Sequence, residues 1–214
     1  MLRIERWMMR PVWLGLFALG AALAAPSARA DQIGFTIFKE DDPIGHDSYM
    51  IEKRGDETKV TVDTQTDVKV LFLDFHYRGD RTEIWKGGQL QSLLSDTNDD
   101  GAKHHVDIHR DGDSFAGTAD GKPAKAPGNA IPFTLWTSEF LKSPLMLDVT
   151  DFSQMKVGIE DKGADSTKVD GKTVTAHRYH LTGDLTWDLW YAADGLLLKT
   201  AFRRRGYPIF LFRQ

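Results

Sequence analysis

The sequence predicts a mainly β protein: a highly curved antiparallel sheet of roughly ten to twelve strands, closed as a half-barrel, barrel or sandwich, with one short helix. Three observations carry this. Asp-Gly dipeptides recur at 100–101, 111–112, 120–121, 170–171 and 194–195, and Asp-Gly between apolar runs is a strong hairpin signal because both residues tolerate positive φ. The runs between them are rich in Val, Thr, Ile, Phe, Tyr and Trp. Several of those runs are apolar on both faces, so the sheet must be covered on both sides.

Residues 1–30 precede this pattern and read as an export signal. Arg3, Arg6 and Arg10 make a basic start, residues 12–25 are uncharged and apolar, and Ala28-Arg29-Ala30 supplies a small-x-small cleavage pattern. The apolar run is about 14 residues, short of the ~20 that cross a bilayer as a helix. Cleavage after Ala30 therefore leaves no transmembrane segment and a single domain over residues 31–214, in the bacterial periplasm or the extracellular medium. The chain has 27 basic and 31 acidic residues, and the leader holds four of the former and one of the latter, which leaves 23 against 30, or −7. That acidic surface argues against nucleic-acid or anionic-membrane binding. Cysteine is absent, so there is no disulfide and no lipidated thiol, and a core of this size needs neither.

The elements follow in order. Residues 32–39 and 46–53 are strands on either side of Asp41-Asp42-Pro43. Residues 58–77 read as one long strand between Gly55-Asp56 and Gly79-Asp80. Strands at 81–85 and 89–95 flank Gly87-Gly88, and strands at 103–110 and 114–118 flank Asp111-Gly112. Residues 120–132 form a Gly/Pro/Ala loop without periodicity. Residues 132–144 place Leu135, Trp136, Phe140 and Leu141 at helical spacing between prolines, which predicts the short helix. Strands at 155–161, 173–181, 185–191, 196–203 and 209–213 complete the chain. Arg203-Arg204-Arg205 against Gly206 reads as a solvated turn.

Two sets of residues are candidates for function. The first is aromatic: Phe72, Trp85, Trp136, Phe140, Trp187, Trp190 and Tyr191 would line a cavity for an apolar small molecule or lipid, and the same residues would serve an ordinary core. The second is polar. Asp96, Asn98, Asp100 and Gly101 match the opening of a calcium loop, but position twelve is Asp107 rather than Glu and the flanks read as strands. His105, Asp107 and His109 share one strand face, about 7 Å apart in turn, and could supply ligands to zinc. The bland alternative is a hairpin turn, with Val106 and Ile108 facing the core and the polar trio facing water. No Gly-x-Ser-x-Gly, His-Glu-x-x-His, phosphate loop or cysteine nucleophile is present, so no reaction can be named.

The order of the stretches DDPIGHDSYMIEKRGDETKV, FHYRGDRTEIWKGGQLQSLLSDTNDDG, TLWTSEFL and AHRYHLTGDLTWDLWYAADGLLLKTAF resembles an exported bacterial family catalogued as a domain of unknown function, number 6134. The resemblance spans nearly the whole of residues 31–214 and implies a secreted, mainly antiparallel β domain. It is distantly similar to the curved half-barrels of lipid and lipoprotein carriers. It transfers no catalytic residue. The leading expectation is an exported, non-enzymatic binding or carrier domain for a hydrophobic ligand. The alternatives are a divalent-metal protein or metal-dependent hydrolase built on Asp96, Asn98, Asp100, His105, Asp107 and His109, and a structural or partner-binding module.

Overall fold

The computed structural model of the chain describes residues 29–70, 73–169 and 171–214. Residues 1–28 of the expected export signal and the candidate Phe72 lie outside them, while Arg29 and Ala30, the last two residues of that signal, open the first strand and pair with Lys53 and Glu52. Fifteen strands occur among the described residues: β1 (Arg29–Lys39), β2 (Asp42–Arg54), β3 (Glu57–Val70), β4 (Leu73–Lys86), β5 (Gln89–Asp99), β6 (Ala102–Asp111), β7 (Ser114–Ala119), β8 (Lys122–Pro127), β9 (Ile131–Pro132), β10 (Leu145–Leu147), β11 (Gln154–Val169), β12 (Lys172–Gly183), β13 (Trp187–Tyr191), β14 (Leu197–Arg204) and β15 (Tyr207–Arg213). They form one sheet in the order β8-β7-β6-β5-β4-β3-β2-β1-β15-β14-β13-β12-β11-β10-β9. Neighbours are antiparallel except β9 and β10, which are parallel.

This order forces curvature. Every strand pairs with its sequence neighbour except across one step, from β8 to β9, and those two strands are the edges of the sheet. Only residues 128–130 join them, a link of at most roughly 14 Å. The sheet must curl until its edges nearly meet. Gln154 Nε2 of β11 donates to the Lys125 carbonyl of β8 at 3.3 Å across that seam. The expected curved antiparallel sheet is therefore the observed one.

Turn chemistry explains the register. Asp100 and Gly101 have φ of 55° and 95°, and Asp120 and Gly121 have 51° and 73°, the double positive φ of a type I′ hairpin. Inward positions then alternate along each strand: Ile33, Phe35 and Ile37 on β1, Val60 and Val62 on β3, Val106 and Ile108 on β6. The outward aromatic positions of β1 and β15 pack together on the convex face, and Lys199 of β14 lies between those of β15 and β13. Phe38 and Phe212 meet edge-on at 5.7 Å, and Lys199 Nζ lies 4.6 Å from the Trp190 ring and 5.1 Å from that of Phe210. The two-sided pattern thus combines a true interior with an outer aromatic row capped by a cation.

Three expectations need correction. The helix at 132–144 is only a 3-10 turn, Glu139–Lys142, because the start of the segment is held extended beside β10, where the Phe133 N–H donates to the Leu147 carbonyl at 3.0 Å. The long strand at 58–77 is a hairpin, β3 and β4, whose register Val70↔Leu73 reverses the chain within the apolar run. The loop at 120–132 contains β8, an edge strand that tolerates Pro123 and Pro127 because an edge has a side that needs no donor.

At Gly45 the backbones of β2 and β3 approach closely. A Cβ there would lie 1.9 Å from the Gln65 carbonyl oxygen on β3. Gly45→Ala is expected to cost about 1–3 kcal/mol in urea unfolding, and an unchanged midpoint would show that β2 and β3 can part at this point.

Candidate functional site

The concave face encloses a cavity of about 420 Å³, within the ~300–1,000 Å³ of small-molecule sites. Its opening lies at the end of the sheet where β1–β2, β3–β4, β5–β6 and β14–β15 turn, since the exposed lining residues His76, Arg204, Arg205 and Tyr207 sit there. The walls are apolar: Ile37, Ile44, Phe133, Trp187, Phe202 and Leu211. A register shift after Ile37 pairs Phe38 with Pro43, so Ile44 bulges into the cavity. Trp187 stacks on Phe202 with centroids 3.9 Å apart and meets Phe133 at 4.8 Å.

The rim carries cations on aromatic rings. Arg204 lies 5.2 Å from the Tyr77 ring, Arg205 4.6 Å from Phe75, and Lys39 5.1 Å from Tyr207. Arg204 also donates to Asp99 Oδ2 at 2.6 Å. The arginine cluster is a solvated turn, as its sequence suggests, and it stands over the cavity mouth.

The floor is polar. Asp47 accepts hydrogen bonds from the Tyr49 and Thr64 hydroxyls, both at 2.7 Å. Burial raises the Asp47 pKa, although those two hydrogen bonds and the charge of Arg81 pull the other way. Burial, with Asp47 beside it, also lifts the Tyr49 hydroxyl well above its ordinary value. Burial alone would lower the Arg81 pKa, but Glu83, Tyr49 and Asp47 together hold it above its usual value. Glu83 is fully buried and accepts three bonds: from Arg81 Nε at 2.8 Å, Trp85 Nε1 at 2.8 Å and Trp136 Nε1 at 2.9 Å. A buried carboxylate so surrounded is satisfied rather than reactive.

Of the aromatic candidates, Trp187 lines the cavity. Trp85 and Trp136 meet edge-on at 5.5 Å and hold Glu83 beneath it. Phe140 is wholly buried in the core, Tyr191 packs against Tyr179 at 5.9 Å, and Trp190 lies on the convex face, donating to Asp165 Oδ2 at 2.9 Å. Sequence reasoning missed Asp47, Arg81 and Glu83. The available signal was parity, since Arg81 and Glu83 share the strand face of Trp85.

The polar candidates do not converge. His105, Asp107 and His109 face outward while Val106 and Ile108 are core. His105 pairs with Asp96 at 2.7 Å, a bond that raises the His105 pKa. Asn98 Oδ1 accepts from the Gly101 N–H at 2.8 Å, and Asp100 Oδ1 from the His76 N–H at 3.4 Å. Residues 96–99 lie on extended β5, which spreads alternate side chains nearly 7 Å apart where a calcium loop would coil them together. Among the described residues no group of three or more His, Cys, Asp or Glu is arranged to hold a metal ion.

A family model described as "Domain of unknown function (DUF6134)" matches residues 35–214. The crystal structure of a beta-barrel-like protein of domain of unknown function DUF1849 from Brucella abortus superposes with a TM-score of 0.62 at 7% identity, covering 86% of this chain and 95% of that one. At that identity the likeness speaks for the fold. No curated protein matches the chain.

Two outcomes follow from the floor. Glu83→Ala strands the buried Arg81 charge and two indole N–H groups, and is expected to cost about 3–5 kcal/mol, with Glu83→Gln costing less; a loss under about 1 kcal/mol in denaturant titrations would refute the tie. Because the folded Asp47 pKa is raised, its stabilising contribution is complete below the unfolded value and is lost as pH rises through the folded one. The melting temperature of Asp47→Asn relative to the parent should therefore increase from acid toward neutral pH, and a pH-independent difference would contradict it.

Proposed function

Since the chain belongs to the family described as a domain of unknown function, DUF6134, its role has to come from its own geometry, and we propose that it is an exported binding or carrier domain for a hydrophobic, lipid-like molecule in the cell envelope. The observation that carries this is the cavity of about 420 Å³ with apolar walls and an opening at one end of the sheet. An apolar ligand taken from water into it gains roughly 25 cal/mol per Å² buried. The rim cations would meet the solvent-facing part of such a molecule or an approaching partner. Export rests on the basic start, apolar run and Ala28-Arg29-Ala30 of the leader. Among the described residues no helix is long and apolar enough to cross a membrane.

The test is recovery of the protein from a periplasmic fraction followed by native mass spectrometry and organic extraction. The expected product begins at Asp31, carries an apolar adduct, and after extraction binds N-phenyl-1-naphthylamine. Ile44→Trp, which fills the cavity, should weaken probe binding by at least about tenfold, equivalent to about 1.4 kcal/mol, while the protein stays folded. A protein that carries no adduct and binds no probe would end the carrier reading.

A further inference from the structure

One group on the cavity floor has more hydrogen-bonding capacity than its surroundings use. Arg81 is about nine-tenths buried, with 10% of its side chain exposed, and it lines the cavity. A guanidinium has five N–H donors. Among the described residues Arg81 spends Nε on Glu83 Oε1 at 2.8 Å and one Nη2 donor on Thr134 Oγ1 at 3.3 Å. The remaining Nη donors have no acceptor among the described residues. A buried cation with open donors in a largely apolar pocket is costly unless something polar meets it.

The neighbouring groups narrow what that something is. Glu83 is already committed to three donors, and both Asp47 oxygens accept from the hydroxyls of Tyr49 and Thr64. The floor therefore offers open donors from Arg81 beside two carboxylates that already accept two and three hydrogen bonds. Its depth matters as well. Arg81 lies four residues along β4 from the rim residue Tyr77, roughly 13 Å, with Thr66 and Thr64 on the β3 side and a largely apolar wall elsewhere. A ligand that reaches Arg81 must send a polar group down a largely apolar shaft, followed by hydrocarbon.

Resting on the carrier reading, we propose that Arg81 reads the head of the ligand: the cavity takes an acyl compound whose carbonyl or carboxyl oxygen enters first and accepts from the open Arg81 donors, with its chain lying along Ile37, Phe133, Trp187 and Phe202. The two-pronged geometry of a guanidinium suits an acyl oxygen pair. An amine head would bring donors to donors and place a second cation beside the first.

The experiment compares palmitic acid, methyl palmitate and hexadecylamine on the delipidated full chain, by calorimetry or probe displacement. Both acyl compounds should bind at least about tenfold more tightly than the amine. The paired variant Arg81→Met/Glu83→Gln removes both buried charges together, so that neither is stranded. It should bring the acyl-to-amine ratio close to one while still binding the chain, and Arg81→Lys should retain part of the preference. Equal binding of acid and amine by the parent protein overturns the proposal while leaving the carrier reading intact, as does a preference that survives in the paired variant. Failure of all three to bind overturns both. If the paired variant does not fold, the ligand series on the parent protein decides alone.

Discussion

The buried carboxylate of Glu83 is the knot that holds the concave face together. It sits on β4, in the half of the sheet made of β1–β8, and accepts from Trp136, which belongs to the segment leading into the other half. Through Arg81 it also reaches Thr134 of that segment. The chain between β9 and β10 has little regular structure of its own, only a 3-10 turn. Its position across the open side of the sheet is set by these polar contacts and by Phe133, Leu135 and Phe140 packing under it. The buried ion pair is thus less a source of net stability than a device that specifies one arrangement of the two halves.

The cavity depends on that arrangement. Phe133 comes from the pinned segment, while Trp187 and Phe202 come from β13 and β14, and the three rings form one continuous wall. If the segment shifted, the wall would open and the floor would flood. A polar floor under a largely apolar shaft makes sense in these terms: the Glu83–Arg81 pair that seals the interior also supplies, through Arg81, the donors that face the cavity.

Much of this was legible in the residues. The Asp-Gly punctuation placed most of the hairpins, and alternation placed Val106 and Ile108 inside and His105, Asp107 and His109 outside. What misled was context that a linear pattern lacks. The apolar run at 70–75 looks like one strand because a reversal inside it changes neither composition nor periodicity. The proline-bearing 122–127 looked like a loop because only an edge position excuses those prolines. Of the aromatic candidates among the described residues, Trp187 borders the cavity, Trp85, Phe140 and Tyr191 belong to the core, Trp136 packs against it, and Trp190 lies on the convex face. The charged residues of the floor were passed over because charge reads as surface until parity with Trp85 is taken seriously.

The meeting of β1 with β15 has a consequence for the order in which the sheet can form. Gln214 donates to Thr36 across 178 positions of sequence, and β1 has no partner on that side until the final strand exists. The hairpins of either half can zip locally as they emerge, because their contacts are short in range. The pairing of β1 on that side waits for β15, so one long strand flank stays available until Tyr207–Arg213 is in place. In a sheet wired this way, closure is the long-range, slow step that follows the fast zipping of its hairpins.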